Sequence, residues 1–203
     1  MSQTLTLFHN PQSRSAGVRV LLEALGAPYE VRLIDLKVGQ QRQPEFLAIN
    51  PMGKLPTLRD GDAVVTEQVA IYLYLADRFP QAGLAPALES PLRGPYLRWM
   101  AFYGSCFEPA VVDRAMKREA VDPMTSPYGD FDTMLKVLTD QLERGPYLLG
   151  EQMNAADILW GSALRWTTGW DLVPKLPAIA AYIERVCAHP AFARAMELDS
   201  AGR

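Results

Sequence analysis

The sequence NPMGKLPTL at residues 50–58 is the stretch that decides the fold. It predicts a chain break and then a short strand, and Asp60-Gly61 predicts a tight hairpin into a second strand. Pro56 holds Leu55 extended, because a residue before proline avoids the helical region. The backbone N–H and C=O of Leu55 can therefore pair with a peptide that lies beside the strand. A cis Leu55–Pro56 bond, which is rare even before proline, would point both groups out of the sheet edge.

The sequence TEQ at residues 66–68 predicts the start of a helix directly after this hairpin. The first turn of a helix carries N–H groups without helical partners and the positive end of the helix dipole, and both suit a carboxylate. A strand edge beside a helix start therefore predicts an extended, acidic tripeptide as the ligand.

Composition and charge exclude several classes of function. The chain has 203 residues, of which 49% are hydrophobic and 21% charged, as in ordinary globular proteins. A net charge of −3 argues against nucleic acid as the main partner, since phosphate binding needs a basic face. No apolar run reaches the length of a membrane span and the first four residues do not resemble a leader, so we expect no membrane partner and a cytoplasmic location. Two histidines and two widely spaced cysteines, Cys106 and Cys187, predict no metal site.

The first part of the chain has the order of elements of a thioredoxin-like domain. Alternating apolar residues predict strands, and the first two strands flank a helix that ends at Gly26. This strand–helix–strand unit implies a parallel pair with a right-handed crossover. The predicted elements are strands at residues 4–8, 29–33, 55–58 and 63–65, with helices before Gly26, at 44–49 and at 67–79. We therefore expect a βαβαββα domain with a mixed sheet over residues 1–80.

Beyond a linker rich in proline and glycine, the sequence predicts only helices. Ser90-Pro91 is typical of an N-cap followed by proline at the first helical position, and Pro109 should kink or interrupt the helix that begins there. The sequence NAAD at residues 154–157 predicts a variant capping box. Further helices are predicted around Leu135, Leu138 and Leu142, at residues 177–189 and at residues 190–198. We expect an all-helical second domain over residues 88–203.

Together these motifs resemble the cytosolic glutathione S-transferases, and most of all bacterial and theta-type members of the serine type. The resemblance covers essentially the whole chain, and it includes LGEQMNAADI at residues 149–158 and HPAF at residues 189–192. It implies an α/β plus all-α fold, in which the thioredoxin-like domain binds glutathione and the helical domain binds the electrophile. It also implies glutathione as co-substrate, a small hydrophobic electrophile, a homodimer and no metal.

In this family the thiolate of glutathione attacks an electrophile, and the protein lowers the pKa of the thiol with a hydroxyl group and a helix N-terminus. The resemblance places the activating residue between the first strand and the first helix. That segment contains Ser13, Arg14 and Ser15 but no tyrosine or cysteine. We favour Ser13, which follows the Pro11-Gln12 turn as the serine follows proline in serine-type members. By another alignment Arg14 replaces a catalytic cysteine and supplies positive charge; the alternative for either serine is a plain N-cap.

The resemblance also implies which residues bind glutathione. Leu55 would pair its backbone with the cysteinyl unit, and Pro56 would fix the turn. Glu67 would bind the γ-glutamyl ammonium and residue 68 its carboxylate, although Gln68 replaces the serine of most members. Lys54 would neutralise the glycine carboxylate or reach the cysteinyl carbonyl. The alternatives are a solvated Lys54 and a Glu67 that only complements the helix dipole.

A second pocket, for the electrophile, is expected between the two domains. Tyr103, Phe107 and Trp166 are its candidate residues, because they lie on the predicted helices that face the cleft. Aromatic residues at helical spacing are more often part of a core, which is the alternative interpretation.

Three other functions compete with glutathione transfer. One is a non-catalytic binding or scaffold protein that keeps the fold, for which Gln68 leaves room. Another is a maleylacetoacetate isomerase, although those members carry paired serines followed by cysteine and this chain has Ser13-Arg14-Ser15. Thiol–disulfide exchange is disfavoured, because no cysteine lies at the first helix.

Overall fold

The computed structural model describes residues 4–119 and 121–202. Its strands are β1 (Leu5–His9), β2 (Tyr29–Leu33), β3 (Thr57–Asp60) and β4 (Ala63–Thr66). They form one mixed sheet in the order β2-β1-β3-β4. β1 runs parallel to β2 and antiparallel to β3, and β3 runs antiparallel to β4. Leu7 on β1 lies opposite Val31 on one side and Leu58 on the other.

Helices make up most of the remaining regular structure. The α-helices are α1 (Ser15–Leu25), α2 (Pro44–Leu47), α3 (Gln68–Arg78), α4 (Arg93–Phe102), α5 (Glu108–Ala115), α6 (Phe131–Leu142), α7 (Ala155–Gly169), α8 (Pro177–Cys187) and α9 (Pro190–Ser200). A π-helical turn at Tyr103–Phe107 joins α4 to α5, and short 3-10 helices lie at Gln40–Arg42 and Pro80–Ala82. Within the described residues, no helix combines the length and the apolarity that crossing a bilayer requires.

The predicted thioredoxin-like order is confirmed. α1 ends at Gly26, which has φ 61° as a left-handed C-cap requires. The strand predicted at residues 55–58 begins only at Thr57, because Pro56 has no N–H to donate to a sheet ladder. Val18, Leu21 and Leu22 on α1 are fully buried, and each contributes about 1.5–3 kcal/mol of apolar burial to the free energy of folding.

The chain forms two compact units, and their bounds differ from the domains expected at residues 1–80 and 88–203. The first unit runs up to Gly83 and includes the segment from His189 onwards, and the second comprises Leu84–Ala188. The difference has a packing cause: α9 packs along α1 and thereby belongs to the sheet-containing unit. We call these the sheet unit and the helical unit.

Two predicted helix boundaries in the helical unit need correction. α4 begins at Arg93 and not after Ser90, because Ser90 Oγ accepts a hydrogen bond from the Leu92 N–H and closes a separate turn. α8 ends at Cys187 and not at His189, since a residue before proline avoids helical angles and His189 has ψ 132°. The interruption expected from Pro109 is present as the π-helical turn that directly precedes it.

The helical unit is organised around Trp160 and Asp157. Trp160 is fully buried, and the rings of Trp99, Tyr103 and Phe107 lie 5.7, 5.4 and 4.9 Å from its ring. The predicted capping box is confirmed: the Asn154 side chain accepts from the Ala156 N–H at 2.9 Å, and Asp157 accepts from the Asn154 N–H at 2.9 Å. α7 therefore starts at a fully hydrogen-bonded N-terminus.

Candidate functional site

Asn10 builds the turn between β1 and α1. Its side-chain amide donates to the Ile34 C=O at 2.9 Å, and its Oδ1 accepts from the Gln12 N–H at 2.9 Å. Its own C=O accepts from the Ser13 N–H at 3.0 Å. These bonds tie the turn to the residue that follows β2, so the start of α1 has a defined position. Sequence analysis did not single out Asn10.

Ser13 places a hydroxyl group at the start of α1. The side chain is partly exposed, and its Oγ donates to the Asn10 C=O at 2.9 Å. It also accepts from the Ser15 N–H at 3.2 Å and lies 2.7 Å from Ser15 Oγ. These bonds hold the hydroxyl of a partly exposed residue beside the positive end of the α1 dipole.

Ser15 is placed quite differently from Ser13. It is fully buried, and its Oγ lies 2.8 Å from His9 Nδ1 and accepts from the Asn10 N–H at 3.0 Å. Neither serine is the N-cap residue of α1; Arg14 holds that position, without a capping side-chain bond. Arg14 is exposed.

The start of α3 shows backbone strain at Glu67. This exposed residue has φ 65° and ψ 120°, a conformation that residues other than glycine rarely adopt and that costs about 1–3 kcal/mol. Its C=O accepts from the Ile71 N–H at 3.0 Å, which opens the helix. Such strain concentrates at functional sites, so it supports a ligand-binding role for Glu67.

Gln68 joins the start of α3 to the start of α1. Its side-chain amide donates to the Arg14 C=O at 3.2 Å. The residue that departs from the family pattern thus contacts the segment that carries Ser13, within the sheet unit. The candidate activating residues and the candidate γ-glutamyl-binding residues are therefore brought together.

The side chains of Asn50 and Thr57 hold the segment before β3 by hydrogen bonds to its backbone. The Asn50 amide donates to the Lys54 C=O at 3.0 Å, and Thr57 Oγ1 donates to the same carbonyl at 3.1 Å. Both side chains are buried, whereas Lys54 is exposed. Gly53 has φ 59°, and a Cβ there would lie 2.7 Å from the Gln41 carbonyl oxygen, so only glycine fits.

Leu55 precedes the bond for which the sequence raised a cis conformation. The Leu55–Pro56 bond is cis, and the Leu55 side chain packs against the cluster of Phe8, Ile34 and Phe46. Among residues 4–119 and 121–202, no hydrogen bond reaches the Leu55 N–H or C=O. Both groups can therefore pair with an extended ligand.

Behind the β1–α1 turn lies a buried polar network that sequence analysis missed. His9 is fully buried, and its Nε2 lies 2.9 Å from Asp199 Oδ1 on α9. Arg19 also binds the Asp199 carboxylate and donates to the Tyr29 hydroxyl at 3.3 Å. Burial lowers the pKa of His9, with the Asp199 carboxylate opposing the shift. Burial and the hydrogen bond to Glu23 raise the pKa of Tyr29 to about 12.

A cavity of about 210 Å³ adjoins this network. Its lining combines polar and apolar residues of the sheet unit: Asn10, Pro11, Arg19, Leu33, Ile34, Asp35, Asp199 and Gly202. Asp199 is 18% exposed, so water reaches the network from this side.

The structure separates the three residues expected to bind the electrophile. Tyr103 and Phe107 are 2% and 1% exposed and stack on each other inside the core of the helical unit. Their burial favours the core interpretation. Trp166 is 46% exposed beside Trp170, with 6.3 Å between the ring centres. Within the part of the chain that the structure describes, no group of three or more His, Cys, Asp or Glu residues can hold a metal ion.

These features define a thioredoxin-like unit with a cis-proline segment and two adjacent helix starts, followed by a helical unit. Two family models match the chain: the glutathione S-transferase N-terminal domain at residues 3–77 and the glutathione S-transferase C-terminal domain at residues 109–185. Human glutathione S-transferase theta-2 is 31% identical over 85% of this chain and 75% of its own length. The chain belongs to the glutathione S-transferase family.

Other relatives and solved structures agree with this assignment. The disulfide-bond oxidoreductase YfcG of Escherichia coli is 29% identical over 95% of this chain and 94% of its own length. A glutathione transferase from Methylococcus capsulatus matches with a TM-score of 0.82 and 29% identity over 98% of this chain and all of its own. A homologue from Sulfitobacter with bound glutathione matches with a TM-score of 0.79 and 25% identity over 96% of this chain and 97% of its own.

Proposed function

We propose that this protein binds glutathione in the sheet unit and ionises its thiol beside Ser13, for attack on small hydrophobic electrophiles. The observation that carries the proposal is the partly exposed Ser13 hydroxyl at the start of α1, linked through Arg14 and Gln68 to the start of α3. A cytoplasmic homodimer is part of the same proposal and rests on family membership.

The residues around Ser13 suit the parts of glutathione. Leu55 offers its N–H and C=O to the cysteinyl backbone, as a strand edge does. Glu67 accepts from the γ-glutamyl ammonium, and the N-terminus of α3 at Gln68 attracts the γ-glutamyl carboxylate. Lys54, which is exposed at the other end of the segment, neutralises the glycine carboxylate.

Ser13 acts on the sulfur by exchanging one hydrogen-bond acceptor for another. The hydroxyl now donates to the Asn10 C=O. In the complex it donates to the sulfur, and the Asn10 C=O keeps the Ser13 N–H as its donor. No buried group loses its partner in this exchange. A bond to developing negative charge next to a helix N-terminus lowers the pKa of the thiol below its ordinary value of about 8.5.

For the electrophile, the structure favours Trp166 over Tyr103 and Phe107. An exposed indole offers a flat apolar surface, whereas the other two rings are enclosed by Trp160 and its neighbours. We therefore expect Trp166→Ala to raise KM for the electrophile while KM for glutathione stays unchanged.

Conjugation kinetics of Ser13→Ala test the proposal, with Ser90→Ala as the matched control in an exposed turn of the helical unit. We expect Ser13→Ala to lower kcat by about 10²-fold, because it removes a donor aimed at developing charge. Retention on immobilised glutathione should persist in both variants. Unchanged kcat and thiol titration in Ser13→Ala would remove Ser13 from the mechanism.

The same assays separate the alternatives. Retention on glutathione without turnover over a broad electrophile panel would favour a scaffold protein. Because one relative is a disulfide-bond oxidoreductase, disulfide reduction should be measured alongside glutathione conjugation. The cysteines of this chain, Cys106 and Cys187, both belong to the helical unit and neither is part of α1, so any disulfide chemistry at the start of α1 would use the glutathione thiol alone. Isomerisation of maleylacetoacetate is checked directly with that substrate.

A further inference from the structure

A continuous chain of hydrogen bonds leads from the surface hydroxyl of Ser13 to a buried carboxylate. Ser13 Oγ lies 2.7 Å from Ser15 Oγ, which lies 2.8 Å from His9 Nδ1. His9 Nε2 lies 2.9 Å from Asp199 Oδ1. Ser15 and His9 are fully buried, so the chain runs through the protein interior. Ser15, His9 and Asp199 are thus connected to the proposed sulfur site by consecutive hydrogen bonds through Ser13.

The chemistry of each group fixes the direction of this chain. The Asp199 carboxylate can only accept, so neutral His9 carries its hydrogen on Nε2 and donates it to Asp199. His9 Nδ1 is then an acceptor, and the Ser15 hydroxyl donates to it at 2.8 Å in preference to the Asn10 C=O at 3.1 Å. Ser15 Oγ in turn accepts from the Asn10 N–H, and it can accept from the Ser13 hydroxyl when that hydrogen turns away from the Asn10 C=O. In this state Ser13 Oγ accepts from the Ser15 N–H and keeps a second lone pair with which to accept a thiol hydrogen.

Protonation of His9 reverses the bonds between His9 Nδ1 and Ser15 and between Ser15 and Ser13, while Nε2–H continues to donate to Asp199. Both ring nitrogens are then donors, so Nδ1–H donates to Ser15 Oγ and Ser15 donates to Ser13 Oγ. Ser13 Oγ also accepts from the Ser15 N–H, so both lone pairs are used and its own hydrogen can turn from the Asn10 C=O to the sulfur. This is the direction that a thiolate at Ser13 requires. Thiolate formation and His9 protonation therefore favour the same arrangement of hydrogens.

We propose that Ser15, His9 and Asp199 take up the proton of the glutathione thiol through Ser13. The proposal rests on the function proposed above. The sulfur–hydrogen bond breaks, its electron pair stays on sulfur and its proton moves to Ser13. Ser13 passes its own hydroxyl proton to Ser15, and Ser15 passes its own to His9 Nδ1. The net transfer is one proton from sulfur to His9. After the sulfur has reacted, His9 returns this proton along the same chain to water, and no oxidant or reductant takes part.

The charges around His9 suit a temporary proton acceptor. Asp199 on α9 faces Nε2 and stabilises the imidazolium, while Arg19 on α1 pairs with the same carboxylate. Asp35 lines the same cavity as Asp199. Burial lowers the pKa of His9 and the Asp199 carboxylate opposes that shift, while a thiolate at Ser13 adds negative charge that favours the imidazolium. Ser15, His9 and Asp199 act through Ser13 and are positioning residues in this scheme.

Proton release on glutathione binding tests the relay directly. Thiolate is measured by its ultraviolet absorbance, and protons by a pH indicator in weakly buffered solution at pH 7. The wild-type protein should form thiolate while releasing well under one proton per site. His9→Gln and Asp199→Asn should form thiolate only at a pH about one unit higher, and should then release one proton per thiolate. Tyr74→Phe, which breaks a hydrogen bond to Asp60 elsewhere in the sheet unit, should behave as wild type.

The outcomes distinguish the relay from the proposed function. Full proton release by the wild-type protein, or wild-type titration in Asp199→Asn, would overturn the relay and leave thiolate activation by Ser13 intact. Absence of any thiolate signal in the wild-type protein would overturn both. Because Asp199 is partly exposed and asparagine has its shape, Asp199→Asn decides the question even where His9→Gln does not fold.

Discussion

Replacing Ser15 by alanine should destabilise the sheet unit far more than replacing Ser13. The Ser15 hydroxyl is fully buried and contacts His9 Nδ1 at 2.8 Å and the Asn10 N–H at 3.0 Å. Alanine leaves both groups without that partner. A buried polar group without a partner costs about 1–3 kcal/mol, and Asn10 is only partly buried, so we expect a loss of about 2–4 kcal/mol. Ser13→Ala removes a partly exposed hydroxyl and should cost below about 1 kcal/mol.

The choice of probe matters for this measurement. All four tryptophans lie within Leu84–Ala188, so tryptophan fluorescence reports on the helical unit only. Urea unfolding should be followed by far-ultraviolet circular dichroism, and the midpoint for Ser15→Ala should fall by on the order of 1 M. Hydrogen exchange in peptides from β1 and α1 should quicken in Ser15→Ala and stay near wild type in Ser13→Ala. Equal stability of the two variants would refute the assignment of Ser15 as a buried structural hydroxyl.

Three further changes probe other parts of the molecule. Gly161→Ala should destabilise the helical unit by about 1–3 kcal/mol, because its Cβ would lie 2.5 Å from Val186 Cγ1, and Val186→Ala should restore much of the loss in denaturant melts. Burial raises the pKa of Asp157 to about 6, above its ordinary value, so its contribution to stability is full below pH 4 and is lost as pH rises through 6. The free energy of unfolding, followed by fluorescence, should therefore fall by about 3 kcal/mol over this range in the wild-type protein and not in Asp157→Asn. Glu67→Gly should relieve the strain at φ 65° and raise stability by about 1 kcal/mol, yet weaken glutathione binding about tenfold by calorimetry, whereas Glu67→Gln keeps the strain.

Local signals predicted the elements of the sheet unit well. The stripe before Gly26, the alternation in β2 and the Asp60-Gly61 hairpin each depend on residues close in sequence, so the pattern alone was sufficient. The extended course of Leu55 is local in the same way, since proline restricts its neighbour directly, whereas the cis Leu55–Pro56 bond was raised only as a condition. The capping box of α7 is equally local.

Long-range packing explains what the sequence did not predict. Asp199 is 190 residues from His9, and no periodicity could indicate that α9 returns to α1 and brings this carboxylate under the turn. Ser13 and Ser15 differ mainly in burial, and the sequence Ser13-Arg14-Ser15 does not show which of the two serines is buried. Tyr103 and Phe107 were assigned by their position on helices expected to face the cleft, whereas in the structure their rings pack around Trp160 in a core. The sequence therefore predicted which segments form the candidate site, whereas the role of each residue within a segment depends on burial and contacts that only the structure gives.

The measurement that tests the central claim most directly is a crystal structure of this protein with bound glutathione. We expect the sulfur within hydrogen-bonding distance of Ser13 Oγ, the cysteinyl backbone paired with Leu55, and Ser13 no longer donating to the Asn10 C=O. A sulfur atom beside the Arg14 side chain alone, or a tripeptide bound away from the start of α1, would contradict the account.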